Sequence, residues 1–85
     1  MNEHEKEFEV FLKQIGKNIK KYRKEAGLKQ EDMDGGQFPI DYKFFQRIEY
    51  GEKNITLKTF FKICKKLNIE PVKLLEFVKT KKVDK

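Results

Sequence analysis

The sequence predicts an all-α domain of five short helices. Apolar residues recur at helical spacing along most of its length, and capping residues stand where those stripes begin and end. A third observation, positive charge gathered in one stretch, points to a polyanionic partner.

The first helix carries Phe8, Phe11, Leu12, Ile15, Ile19, Tyr22 and Ala26 along one stripe. Glu5, Glu7 and Glu9 near its start and Arg23 and Lys24 at its end complement the helix dipole, and Gly27 is its natural stop. His4 falls in a terminus expected to fray. A short second helix follows. Leu28 and Met33 are spaced as a hydrophobic staple about Lys29 as N-cap, Asp32 sits at the third helical position, and Gly35-Gly36 ends the element. Asp41 is a strong N-cap for a third helix over residues 42–50, stapled by Ile40 and Phe45 and closed by Gly51. Thr56 caps a fourth, whose stripe is Leu57, Phe60, Phe61, Cys64 and Leu67 with Ile63 flanking it, and Asn68 stops it. Pro71 opens a fifth, with Leu74, Leu75, Phe77 and Val78 as its apolar surface. Residues 1–79 therefore read as one domain and 80–85 as a basic, disordered tail.

Eighty-five residues suffice for one compact core. Twenty Lys and Arg against fourteen Asp and Glu give a net charge of +6. The excess is uneven: residues 13–29 hold Lys13, Lys17, Lys20, Lys21, Arg23, Lys24 and Lys29 against Glu25 alone. Serine is absent, which excludes every serine nucleophile, and one histidine with one cysteine cannot compose a zinc set. Neither enzyme chemistry, a metal nor a cofactor is expected. Cys64 sits at a core spacing and reads as a packed thiol. No run approaches the roughly 18 apolar residues of a membrane span, and the acidic N-terminus is unlike a secretory signal, so a cytoplasmic protein is expected.

A tight connection between the second helix and a well-capped third suggests a helix-turn-helix. The stretch Ile15-Gly16-Lys17-Asn18-Ile19-Lys20-Lys21-Tyr22-Arg23-Lys24-Glu25-Ala26-Gly27-Leu28-Lys29-Gln30-Glu31 and the stretch Gln46-Arg47-Ile48-Glu49-Tyr50-Gly51-Glu52-Lys53-Asn54 resemble the Cro and repressor-type helix-turn-helix family of phages and bacteria. The likeness continues through Thr56-Leu57-Lys58-Thr59 and Leu67-Asn68-Ile69-Glu70-Pro71, and so spans roughly residues 12–78. It implies a lambda-repressor-like domain with helices two and three as the motif. It also implies that the third helix lies in the DNA major groove, with Tyr42, Lys43, Gln46 and Arg47 at the base-reading positions. Their chemistry agrees, since Lys43 and Arg47 suit guanine O6 and N7 and Gln46 suits the adenine edge. By the same resemblance Gln30, Lys53 and Asn54, with Lys20 and Lys29 as further members, contact phosphates. Arg23 and Glu49 map onto a structural ion pair joining helix one to the recognition helix.

This chain departs from the family in two ways. The span from the helix-two glutamine to the recognition-helix glutamate is one residue longer, and Pro39 stands where the turn glycine is usual. Proline cannot take positive φ and pushes Phe38 towards an extended backbone, which leaves Gly35 or Gly36 to supply any left-handed turn. Glu31, Asp32, Asp34 and Asp41 also form an acidic run near the supposed DNA face. The leading expectation is a homodimeric transcriptional repressor on double-stranded DNA, paired through residues 71–79, with a domain swap through the N-terminal helix as the alternative geometry. The alternatives are an antitoxin that represses its own operon and a protein-interaction module that has lost DNA binding.

Overall fold

The computed structural model describes the backbone of residues 2–78 and the side chains of residues 2–76. Among the described residues the order is α1 (Glu3–Glu25), a 3-10 helix η1 (Gln30–Asp34), α2 (Tyr42–Glu49), α3 (Leu57–Leu67) and a second 3-10 segment η2 (Pro71–Val78), with no strand. The tail expected at 80–85 lies outside them.

Two of the five expected helices are 3-10 rather than α. In η1 the Lys29 cap offers no acceptor, and the Lys29 N–H donates instead to the Asp32 carboxylate at 2.7 Å, which winds five residues tightly without propagating them. In η2, Leu75 leaves helical geometry at φ −111°, ψ 16°. At the other end α1 begins earlier than its apolar stripe. The Asn2 side chain accepts from the Glu5 N–H at 2.8 Å while the Glu5 carboxylate accepts from the Asn2 N–H at 3.2 Å, a capping box. His4, expected in a fraying end, lies in the first turn of α1.

The largest fully buried side chains are Ile19, Met33, Phe45, Ile63 and Leu74, one from each element, so all five meet in one core. Ile63 is thus central rather than flanking, whereas Leu57 and Phe61, expected on the inner stripe, are 86% and 53% exposed. The reason is the roll of α3: Ile63, Cys64 and Leu67 face the core, and that turns the Leu57 and Phe61 side outward. Likewise α1 buries Ile15 and Ile19 but leaves Phe8 and Phe11 partly exposed, because its first turns run past the core. Burial pushes the Cys64 thiol above its ordinary value, as suits a packed group.

The last segment closes on the first helix. Asn18 Nδ2 donates to the Leu74 carbonyl at 3.0 Å, and the Tyr22 hydroxyl donates to Glu76 Oε1 at 2.7 Å. That hydrogen bond holds the Glu76 carboxyl below its usual range, with Lys73 and Lys21 adding to it. Leu74 is consequently covered within its own chain and is not free to meet a second one. The side chains of Phe77 and Val78 lie outside the described residues.

Gly16 sets the distance between α1 and α2. A Cβ built there would stand 2.8 Å from the Ile48 carbonyl oxygen and closer still to that of Glu49, both backbone atoms that cannot swing aside. Gly16→Ala is therefore expected to destabilise the domain by about 3 kcal/mol, more than overcoming alanine's better helix propensity. Urea denaturation checks this, and an unchanged midpoint would mean that the two helices separate at little cost.

Candidate nucleic-acid interface

Arg23, in the last turn of α1, and Glu49, the last residue of α2, are buried, with only 7% and 1% of their side chains exposed. Their charged groups meet at two points, Nε to Oε2 at 2.6 Å and Nη2 to Oε1 at 3.2 Å. Arg23 Nη1 also donates to the Leu28 carbonyl at 2.8 Å. The guanidinium thus ties together the ends of both helices and the entry to η1.

Three polar side chains extend this pair towards the outer side of α2. Gln30 Nε2 donates to Glu49 Oε1 at 2.8 Å, and Gln46 Nε2 donates to Gln30 Oε1 at 3.1 Å and to the Tyr42 hydroxyl at 3.3 Å. Gln30, Tyr42 and Gln46 are half-buried, while Lys43 and Arg47 are exposed. Phe45 and Ile48 take the core side of the same helix, which leaves Tyr42, Lys43, Gln46 and Arg47 off it. Arg47 Nε lies 3.5 Å from Glu52 Oε1, leaving its terminal N–H groups open. Gln30 has two protein partners, and these leave one of its side-chain N–H groups unused. Lys20, Lys29 and Asn54 are exposed and Lys53 is half-buried.

The segment between η1 and α2 differs from its sequence-based expectation. Gly36 takes φ +67°, one of the two glycines foreseen for a left-handed turn. Phe38, expected to be extended before Pro39, stands at φ +60°, a region that costs a bulky residue about 1–3 kcal/mol. Contacts from α3 hold it there. The Lys66 ammonium donates to the carbonyls of Gly35 and, at 3.2 Å, of Gln37, and the Phe38 ring meets Phe61 edge-on at 6.2 Å. The Ile40 N–H then donates to the Met33 carbonyl at 2.8 Å and returns the chain to the core. Sequence reasoning missed Lys66, one lysine among many with no local signal, and placed Phe61 in the core. Of the acidic run, Asp32 and Asp41 are helix caps, the latter accepting from the Phe44 N–H at 3.0 Å.

A short helix, a turn and a second helix held by its end, with an outer face of amide, phenol and basic groups, make a helix-turn-helix arrangement within an all-helical domain. The chain is similar to the crystal structure of the restriction-modification controller protein C.AhdI from Aeromonas hydrophila, at 28% identity and a TM-score of 0.67, over 76% of this chain and 97% of that one. No family model matches the chain, and neither does any curated protein. No described helix is long and apolar enough to cross a membrane.

Removing one member of the buried pair strands the other's charge. Glu49→Leu is expected to cost about 3–5 kcal/mol, and Arg23→Met combined with Glu49→Leu clearly less than the two single losses added together. A double-mutant cycle by urea denaturation measures this, and strict additivity would mean that the charges do not interact.

Proposed function

We propose that this chain is a sequence-specific double-stranded-DNA-binding transcriptional regulator, acting in the cytoplasm as a dimeric repressor. The observation that supports this best is the face of α2, where Lys43 and Arg47 stand one helical turn apart beside Tyr42 and Gln46, on a helix anchored by the Arg23–Glu49 pair. Likeness to a restriction-modification controller protein supports the same reading. An α-helix fits the major groove, and there the open edge of Arg47 suits guanine O6 and N7. Lys53 and Asn54, just past α2, would contact phosphates and fix the register, together with Lys20, Lys29 and the remaining N–H of Gln30. Occupancy of an operator by so small a domain blocks polymerase without a further surface. An interaction module that has lost DNA binding would draw on the acidic run and the altered turn, but two of the four carboxylates serve as caps.

Dimerisation is assigned to a surface that takes only Leu75 from the expected residues 71–79. An apolar groove of about 340 Å³ opens between α1 and the start of α3, lined by Phe8, Phe11, Ile55, Leu57 and Leu75 among others. Glu5 and Glu9 flank Phe8, and Lys58 follows Leu57, so two copies related by a two-fold axis would set acidic edge against basic edge around an apolar centre. A second copy is the occupant that fits, because a two-fold pair presents two copies of α2 to two half-sites of one duplex. Leu57 makes little use of its own chain's core, and Leu57→Glu should give a folded monomer at concentrations where the wild type sediments as a dimer. A wild type that stays monomeric at high micromolar concentration, with and without DNA, would remove this assignment.

Base and phosphate contacts should separate by mutation and salt. Arg47→Ala should weaken the preferred site by about 1–3 kcal/mol and relax one base position, with loose binding nearly unchanged. Lys53→Ala should weaken all sequences alike and flatten the salt dependence by roughly one unit of slope. Titrations over a range of salt, on sites selected from random duplexes, measure both. No duplex binding at low salt would refute the regulator reading.

A further inference from the structure

The buried ion pair dictates which atom of Gln46 is free. Arg23 carries only donors and the Glu49 carboxylate only acceptors. Gln30 must therefore present Nε2 to Glu49, at 2.8 Å, and this turns its Oε1 towards α2. Gln46 must in turn present Nε2 to that oxygen, at 3.1 Å, and the same nitrogen reaches the Tyr42 hydroxyl at 3.3 Å. Donor and acceptor alternate along the whole chain of contacts. Flipping either amide would set oxygen against oxygen or N–H against N–H, in a region where an unmade hydrogen bond is expensive. Both N–H groups of Gln46 are thus engaged by the protein, and Oε1 has no hydrogen-bond partner among the described residues.

We propose, resting on the DNA-binding reading above, that Gln46 reads DNA as an acceptor alone. Its Oε1 takes a hydrogen bond from the exocyclic amino group of one base in the major groove, adenine N6 or cytosine N4. It does not make the two-point contact of an unrestrained glutamine with adenine, because that contact needs an N–H for N7. Gln30 is then a positioning residue for specificity, acting through the orientation of Gln46.

The test uses the full chain and synthetic duplexes. Sites are selected from random DNA by the wild type and by Gln46→Ala, and the base pair whose preference disappears is the one that Gln46 reads. At that pair the preferred base is then edited. One edit removes the exocyclic amino group, converting adenine to purine or cytosine to 2-pyrimidinone. The other, for adenine, replaces N7 with CH. Loss of the amino group should weaken the wild type roughly five- to thirtyfold and leave Gln46→Ala within about twofold. The N7 edit should change both proteins by the same factor. In Gln30→Ala the amide is free to turn, and the preference at that pair should broaden to guanine and thymine, which present acceptors. Removal of the exocyclic amino group that leaves the wild type unaffected, an N7 edit that harms the wild type more than Gln46→Ala, or an unaltered preference in Gln30→Ala would each overturn the proposal while leaving DNA binding intact. Absence of all duplex binding would overturn the regulator reading along with it.

Discussion

A single buried charge pair fixes how the helices of this domain meet. Arg23 and Glu49 are the buried charged residues of the described chain, and neither would be tolerated there alone. Their desolvation is offset by a two-point contact, by the Leu28 carbonyl and by the Gln30 amide. Because the guanidinium is planar and its donors diverge at fixed angles, it orients as well as attracts. The end of α1, the entry to η1 and the end of α2 are set by one group. Gly16 works with it, since only a missing side chain lets α1 lie against the terminal carbonyls of α2.

With α2 held at its C-terminal end, the approach to its N-terminal end can vary. The connection from η1 carries Pro39, yet Phe45 and Ile48 still seat in the core. That connection holds two left-handed residues, Gly36 and Phe38, braced from α3 by Lys66 and Phe61. Strain at Phe38 is thereby supported from outside the motif. This arrangement lets a helix-turn-helix accept a proline at the turn without losing the outward face of its second helix.

Polarity runs outward from the same pair. A core charge that can only donate and a partner that can only accept leave no freedom to the amides stacked beyond them, so a hydrogen-bonding pattern begun in the interior is delivered to the surface at Gln46. The apolar face of α1 lies at the opposite extreme. Its first turns are capped and helical but run past the core, which places Phe8 and Phe11 beside Leu57 in an open groove.

What the sequence determined by itself is whatever depends on neighbours within about four residues. Asp41 and Thr56 cap where their side chains can reach the first free N–H groups, Asn68 ends α3 in the left-handed region at φ 57°, and the stripe of α1 and the staple of α2 identify Ile15, Ile19, Ile40 and Phe45 as core. The sites of Arg23 and Glu49 were legible through resemblance, since each stands in a recognisable local run. Only the tertiary structure decided the roll of α3, which exchanged Phe61 for Ile63 in the core, because two stripes of similar hydrophobicity run along that helix. It alone decided the backbone of Phe38, whose local preference before proline is overridden by a lysine held against Gly35 from thirty-one residues away. The direction of the Gln46 amide belongs to the same class. It follows from a chain of donors and acceptors contributed by α1, η1 and α2, and it exists only once those three are packed together.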